Sequence, residues 1–438
     1  MHVVVAGGGL AGLVAARRLA AEEVDVELFE SAGTVGGRVG SRTVDGFTLD
    51  RGFQVLFTAY PAVRTELNLD DLDLRRFDSG ATIARPNHRS TIGDPSRDLG
   101  ALLPTLFNRD IRFGDLRRLY RLRQNLADGD PADLLTDDRY DGKTIERYLT
   151  DRGFSDQFLE NFAAPFFGGI TLDRSLETSS RIFEYTFRML LDGDAGVPAA
   201  GMGAIPGQLR DRAEAAGATI RTNRTVTDVD VDDRRVTVKI ARNTAGTEDV
   251  VQRSGNEHVF PDAVVIATDP RTACDLAGVR TPTDGVGCVT VHVSLPDHQV
   301  LDTGGRLILN AVDGRPNTIA PMSAVAPEYA PDERQLYSAT FLGEVSESDE
   351  TLFERVRETL SAWYPERDFG DVALCGVDRM EFAQFRQPPG FRHRLPDVST
   401  PSGPVYLAGD YTQWSSIQGA LESGRVAATA VLDNHEVE

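Results

Sequence analysis

Gly7-Gly8-Gly9-Leu10-Ala11-Gly12 follows directly on the β-branched run Val3-Val4-Val5 and opens the helix-favouring stretch Leu13 to Ala21. Glycines spaced in this way, between a strand and a helix, suit the binding of a dinucleotide's phosphates. Gly7 makes the tight turn, Gly9 lets the backbone approach a pyrophosphate, and Gly12 lets helix and strand pack closely. The first N–H groups of such a helix, at Leu10, Ala11 and Gly12, have no carbonyl partner within it and favour phosphate charge.

A second chemical signal comes one strand later. Val24, Val26 and Leu28 alternate with Asp25 and Glu27, and Glu30 closes the run 18 residues past Gly12. A carboxylate there accepts both hydroxyls of an adenosine ribose and repels a 2′-phosphate, so Glu30, with Ser31 beside it, is the candidate ribose contact. Asp25 and Glu27 read as solvated strand positions. NAD and FAD share this first unit, and the choice between them rests on residues further along the chain.

Gly36-Gly37-Arg38 lies just past the second strand, and the chain then reads Gly46-Phe47-Thr48-Leu49-Asp50-Arg51-Gly52-Phe53. Near the other end, Val405-Tyr406-Leu407-Ala408-Gly409-Asp410 reads as strand and turn, and Ile417-Gln418-Gly419-Ala420-Leu421 opens a last helix. Together these stretches resemble the flavin-containing amine oxidase and phytoene desaturase superfamily, and the resemblance covers essentially the whole chain. It implies FAD as cofactor. By the resemblance, Gly36, Gly37 and Arg38 line the pyrophosphate, Gly52 lies beside the flavin ring, and Asp410 after Gly409 serves the ribityl or pyrophosphate region. The helix start at Ile417, Gln418, Gly419 and Ala420 would aim N–H groups at the flavin N1/O2 edge and stabilise the reduced ring. Val226 is the candidate adenine contact, with Ala267-Thr268 passing near the cofactor backbone. No cysteine stands where a covalent flavin link is expected, so the FAD reads as non-covalent.

The broad reaction implied is hydride transfer from a substrate carbon to flavin N5, with the cofactor carrying the chemistry and the protein orienting it. No individual catalytic residue is readable. Amine oxidases of the superfamily place a lysine in the substrate-domain sheet and aromatic walls beside the ring. This chain has no lysine after Lys239, and Ser415-Ser416 stands where the second aromatic wall would fall. Tyr411 and Trp414 remain as ring neighbours or, equally, as ordinary packing. The closing motif, Gly409-Asp410-Tyr411-Thr412 with Ser416 to Ala420, more closely resembles plant-type carotene and squalene-associated desaturases. The leading expectation is an FAD-dependent oxidoreductase that desaturates or dehydrogenates an apolar isoprenoid-type molecule. An amine or protoporphyrinogen oxidase is the alternative, and a redox-neutral flavin isomerase or flavin-stabilised binding protein is a third reading.

The elements that must position these groups suggest an α/β fold. A Rossmann-type FAD-binding domain is expected from discontinuous segments 1–76, 198–275 and 373–438, with an inserted α+β substrate domain from 77–197 and 276–372. The first insert has helical patterns carrying Phe158, Phe162, Phe166 and Phe167. The second has strand-like runs, Val289 to Val293 and Leu307 to Leu309, then a helix-like Glu350 to Trp363.

Composition narrows the partners. The 438 residues carry 46 Lys+Arg against 67 Asp+Glu, a net charge of −21, which argues against nucleic acid as a partner. Lys143 and Lys239 are the only lysines; acidic and lysine-poor together suggest a halophile's cytoplasm, where strong screening tolerates carboxylates. Cys274, Cys288 and Cys375 are far apart and the histidines are scattered, so no metal site is indicated. The apolar start, Met1 to Ala16, lacks a basic leader and is broken by glycines, and it is read as structure rather than as a signal peptide. One stretch points to a peripheral membrane contact: Leu102, Leu103, Leu106 and Phe107 precede Arg109, Arg112, Arg117, Arg118, Arg121 and Arg123, opposed only by Asp110 and Asp115. The state of association is not readable.

Overall fold

A computed structural model describes residues 1–93, 108–136, 142–232, 235–244 and 252–436. Its centre is a five-stranded parallel sheet. The strand His2–Ala6 lies in the middle, between Asp25–Phe29 and Ala263–Ile266, with Thr219–Arg221 and Val405–Leu407 at the edges. Val3, Val4, Val5, Val264 and Val265 are wholly buried, which explains why these strands read as unbroken apolar runs rather than alternating ones. Each such side chain contributes about 1.5–3 kcal/mol by leaving water.

The helix Leu10–Ala21 packs against Ile417–Glu436 from the far end of the chain and against Ala204–Ala215. The first of these contacts is backbone to backbone, because a Cβ at Gly424 would overlap the carbonyl oxygen of Ala11. The N- and C-terminal segments therefore form one layer over the sheet.

A second, seven-stranded sheet runs in the order Ala373–Phe385, Gly285–Pro296, Arg334–Leu342, Thr318–Ala320, Leu307–Asn310, Ala81–Arg85 and His88–Ile92. Its pairings are antiparallel except for Leu307–Asn310 with Ala81–Arg85. One face is apolar: Val289, Val291, Val293 and Leu295 pack on Leu352, Val356, Leu360 and Trp363 of the helix Asp349–Trp363. That helix starts where the Ser348 hydroxyl accepts the Thr351 N–H, with Asp349 and Glu350 in its first turn. The strand Ala373–Phe385, assigned from sequence to the dinucleotide segments, is bonded into this sheet along Gly285–Pro296. The chain returns to the parallel sheet only at Val405.

The helical insert is built on aromatic contacts. Phe154, Phe158, Phe162, Phe167 and Phe183 are buried in one cluster spanning Asp156–Phe158, the π-helical turn Leu159–Ala163, Ala164–Thr171 and Ser180–Asp192. The helix Phe113–Ala127 packs on its outside. Leu102, Leu103, Leu106 and Phe107 lie outside the described residues. Among the described residues no helix is long and apolar enough to cross a membrane.

Candidate functional site

The parallel strands deliver their chemical residues to one edge. Gly7 to Gly9 follow the central strand, Glu30 the second, Ala267-Thr268 the fourth and Gly409-Asp410 the fifth. All lie at C-terminal strand ends, where the order reverses around the central strand and open α/β sheets hold their ligands.

Gly7 has φ +109, and a Cβ there would meet the Ala267 carbonyl oxygen at 2.6 Å. A Cβ on Gly12 would overlap Gly7 O, so the turn and the helix approach that the spacing suggested both need glycine. Gly9 differs. Its backbone is ordinary, φ −71 and ψ 178, and a Cβ would meet nothing within 4 Å. No side chain caps the helix that Gly9 begins, leaving its N-terminus open toward the space beside Gly9. That combination fits a phosphate.

Glu30 is buried and already oriented. Gly8 N–H donates to Oε2 at 2.7 Å, while Ala32 N–H (2.7 Å) and the Ser31 hydroxyl (3.1 Å) donate to Oε1. Arg224 N–H donates to the Glu30 carbonyl oxygen, which brings the strand Arg224–Asp232 and its buried Val226 alongside. Val226 does not continue the strand Thr219–Arg221, although the sequence pattern runs the two together. Asn223, at φ +55, turns the chain between them, and Val226 belongs to a separate three-stranded antiparallel sheet.

The G-G-R loop packs on the first turn, because Gly36 N–H donates to Gly8 O at 2.8 Å and a Gly37 Cβ would lie 3.6 Å from Gly9 Cα. Arg38 then joins the two ends of the chain: its guanidinium donates to Asp410 Oδ1 at 2.7 Å and to Ala383 O at 3.0 Å. Burial works against the Arg38 charge, but Asp410, with Asp269 behind it, outweighs that and holds the group above its ordinary pKa. The other carboxylate oxygen of Asp410 accepts the Ser415 hydroxyl at 2.8 Å. Asp410 is thus held from both sides.

Gly52, at φ +80, turns the chain just after the strand Phe47–Asp50. Its missing Cβ would lie 3.8 Å from Thr290 Oγ1, and the next residue, Phe53, donates its N–H to that same hydroxyl at 3.3 Å. Gln54 ties the turn to the cofactor loop by donating to Arg38 O at 2.9 Å. Thr290, Gln54 and Ser415 are site residues that sequence reasoning missed. Thr290 and Gln54 act through residues distant in the chain, which no local spacing announces, whereas Ser415 acts on Asp410 only five residues before it.

At the last helix the structure redistributes the expected roles. The Ser416 hydroxyl accepts Gly419 N–H at 2.8 Å, and Ser416 O accepts Ala420 N–H at 3.0 Å. Of the four N–H groups expected to face the flavin, those of Gly419 and Ala420 are engaged within the helix start, which leaves Ile417 and Gln418. The Gln418 side chain instead accepts Ala62 N–H at 2.8 Å. Tyr411 is wholly buried, its hydroxyl donating to Ile266 O at 3.1 Å, and burial pushes its pKa up. Trp414 packs edge-on against Tyr185 at 5.4 Å. Both aromatics are packed into the core. A Cβ on Gly409 would overlap the Tyr411 ring, so this glycine allows a close approach within the core. Thr268 is half-buried, its hydroxyl donating to Asp269 O at 3.3 Å.

The face of the seven-stranded sheet that turns away from its helix is polar. Thr290, His292 and Ser294 alternate along it, all buried, with Ser338 and Thr340 opposite on the neighbouring strand. His292 Nδ1 lies 2.9 Å from Ser338 Oγ and Nε2 lies 3.1 Å from Asp378 Oδ2, and Asp378 pairs with Arg42. Burial alone would raise the Asp378 pKa, but His292 and Arg42 reverse that and hold it below its ordinary value. Nearby, Asp50 accepts from the Ser41 hydroxyl, Met202 N–H and the Tyr329 hydroxyl, and burial pushes its carboxyl up.

Beside this wall the side chains are apolar. Phe53 and Phe77 meet edge to face at 5.9 Å, and both are half-buried. Ile170, Leu190 and Leu307 touch both the core of the parallel sheet and the core of the helical insert, yet remain half-buried. These apolar groups stay partly open where the two cores meet.

The chain is similar to known proteins over essentially its whole length. The family model described as flavin containing amine oxidoreductase matches residues 10–432. A 15-cis-phytoene desaturase of Narcissus pseudonarcissus is 22% identical over 100% of this chain and 80% of its own length. A zeta-carotene desaturase of Synechocystis is 24% identical over 99% of this chain and 98% of its own length. Among solved structures, the cyclohexylamine oxidase of Brevibacterium oxydans superposes with a TM-score of 0.67 at 16% identity, covering 99% of each chain.

Proposed function

The chain belongs to the flavin containing amine oxidoreductase family, and we propose that within it this oxidoreductase desaturates or dehydrogenates an apolar, isoprenoid-type molecule. Bound FAD would supply the hydride acceptor. This chain's residues then have positional roles. The Gly9 turn and the helix behind it would hold the pyrophosphate and Glu30 the ribose, with Arg38 and Asp410 closing the loop over the phosphates. Gly52 would lie beside the ring. We read the flavin as non-covalently held, so denaturation should release it.

The observation that carries the substrate class is the set of half-buried apolar side chains where the two cores meet, Ile170, Leu190 and Leu307, together with the Phe53–Phe77 pair that follows Gly52. Two further features support it over an amine. The sheet residue at Gly52 is Thr290, a neutral hydroxyl, and the seven-stranded sheet carries no lysine. The serines in place of an aromatic wall are engaged elsewhere, Ser415 with Asp410 and Ser416 with the helix start.

The test is anaerobic mixing of the oxidised holoenzyme with candidate donors while the visible flavin band is monitored. Lipid-dispersed polyprenes or carotenes should bleach it, whereas polyamines and aromatic amines should not. Rapid bleaching by a simple amine or by a porphyrinogen, with none from the polyprenes, would reverse the assignment. A band that every donor leaves unchanged would favour a redox-neutral role.

A further inference from the structure

The helix Phe113–Ala127 turns one stripe of side chains outward. Phe113, Arg117, Tyr120, Arg121 and Gln124 recur at helical spacing and are all exposed, while Asp115, Leu122 and Leu126 are buried. Phe113 is 72% and Tyr120 61% exposed, so two aromatic rings stand in water two turns apart on one face. The carboxylates that the sequence sets against the arginines have turned inward. Asp110 is buried under Arg85, His88 and Ser90. Asp115 is buried too, accepting the Ser155 N–H at 3.0 Å and the Ser155 hydroxyl at 2.6 Å, with Arg118 beside it. Arg117 and Arg121 have no carboxylate partner among the described residues, in a chain whose net charge is −21.

We propose that this face docks the protein on an anionic lipid bilayer. Arg117 and Arg121, with the exposed Arg112 at the helix start, meet the headgroup phosphates, and Phe113 and Tyr120 dip into the interface between them. An acidic protein surface would require only the arginines. Rings standing bare on the same stripe fit a medium that accepts apolar tips between its charges. The inference rests on the substrate reading in one respect, since a bilayer is where an isoprenoid-type donor resides, but its test needs no turnover.

The flavin-loaded protein is sedimented with phosphatidylglycerol vesicles and, separately, with phosphatidylcholine vesicles, at the lowest salt at which its visible bands persist. It should pellet with the first and remain in solution with the second. R117Q/R121Q should weaken phosphatidylglycerol binding roughly thirtyfold, about fivefold for each arginine. F113S/Y120S should also weaken it, with the arginines intact. The flavin bands and melting temperatures of both variants should match the wild type, because all four side chains are exposed. Wild-type protein that stays in solution with both vesicle types overturns the proposal, and so do variants that pellet as the wild type does. Loss in the arginine variant alone would assign the face to an acidic protein instead. Since sedimentation reads no hydride transfer, either failure leaves the substrate assignment to the donor series.

Discussion

Replacing Glu30 by Gln keeps the shape of the side chain and removes its charge. In the structure Oε2 holds one donor, Gly8 N–H at 2.7 Å, and Oε1 holds two, Ala32 N–H at 2.7 Å and the Ser31 hydroxyl at 3.1 Å. A carboxylate accepts about four hydrogen bonds, so one place is free for a ribose hydroxyl, and a second opens if Ser31 rotates away. A charge-assisted hydrogen bond is worth about 1.5–3 kcal/mol, so losing one weakens FAD by roughly 10- to 150-fold. The apoprotein should suffer as well. A Gln amide N–H₂ set against Gly8 N–H or Ala32 N–H opposes donor to donor, at about 1–3 kcal/mol for the unmet group. Fluorescence titration of the apoprotein with FAD measures the first effect, and thermal unfolding without flavin the second. Ser31→Ala is the control: it frees a place on Oε1 and should leave affinity within a few fold. If Glu30→Gln lowers the apoprotein's melting temperature yet leaves the FAD dissociation constant unchanged, Glu30 only braces the glycine turn, and the ribose assignment fails.

The same geometry makes the two neighbouring glycines behave differently. Gly12→Ala should destabilise the apoprotein by about 1–3 kcal/mol, since its Cβ would overlap the backbone oxygen of Gly7 and lie 3.1 Å from Ala267 Cβ. Gly9→Ala should melt with the wild type in the absence of flavin and bind FAD more weakly, because its Cβ meets no protein atom; affinity equal to wild type would remove the phosphate from this turn. Asp378 carries a pH signature. Its folded pKa lies below the ordinary 3.8, so its stabilisation is present above that value and is lost as pH falls through the folded one. Asp378→Asn should therefore narrow the stability gap to wild type as acid denaturation is tracked downward from about pH 5, and a gap that stays constant to about pH 2 would show that the His292–Asp378–Arg42 contacts are energetically idle.

What was legible in the sequence was what neighbours in the chain can specify. Gly7, Gly9 and Gly12 announce their turn because strand, glycines and helix lie within about twenty residues, and Glu30 comes at one fixed stride beyond them. The Gly36-Gly37-Arg38 and Gly409-Asp410 pieces were readable only by resemblance, since what joins them is an ion pair between residues 38 and 410. The strand Ala373–Phe385 was misassigned for a related reason. Its residues are mostly half-exposed and alternate weakly, so sequence pattern could not say which sheet claims it; pairing with Gly285–Pro296 decides that.

The hardest feature to read was the polar face of the second sheet. Gly285–Pro296 contains Val289, Val291, Val293 and Leu295 in alternation with Thr290, His292 and Ser294, a pattern that predicts one face in water. Instead both faces are buried: Thr290, His292 and Ser294 on the polar one meet the Phe53 N–H, Ser338 with Asp378, and Arg334, while the Thr340 hydroxyl has no partner among the described residues. The turn of Gly52 and Phe53 reaches this face at Thr290. An unmet polar group there would cost about 1–3 kcal/mol, so the partners must arrive in register. That requirement makes Thr290 a fixed point between the Gly52 turn and the seven-stranded sheet. The hydroxyl that receives Phe53 N–H holds the Gly52 turn at a set distance from the substrate sheet, and with it the place where flavin and substrate would meet.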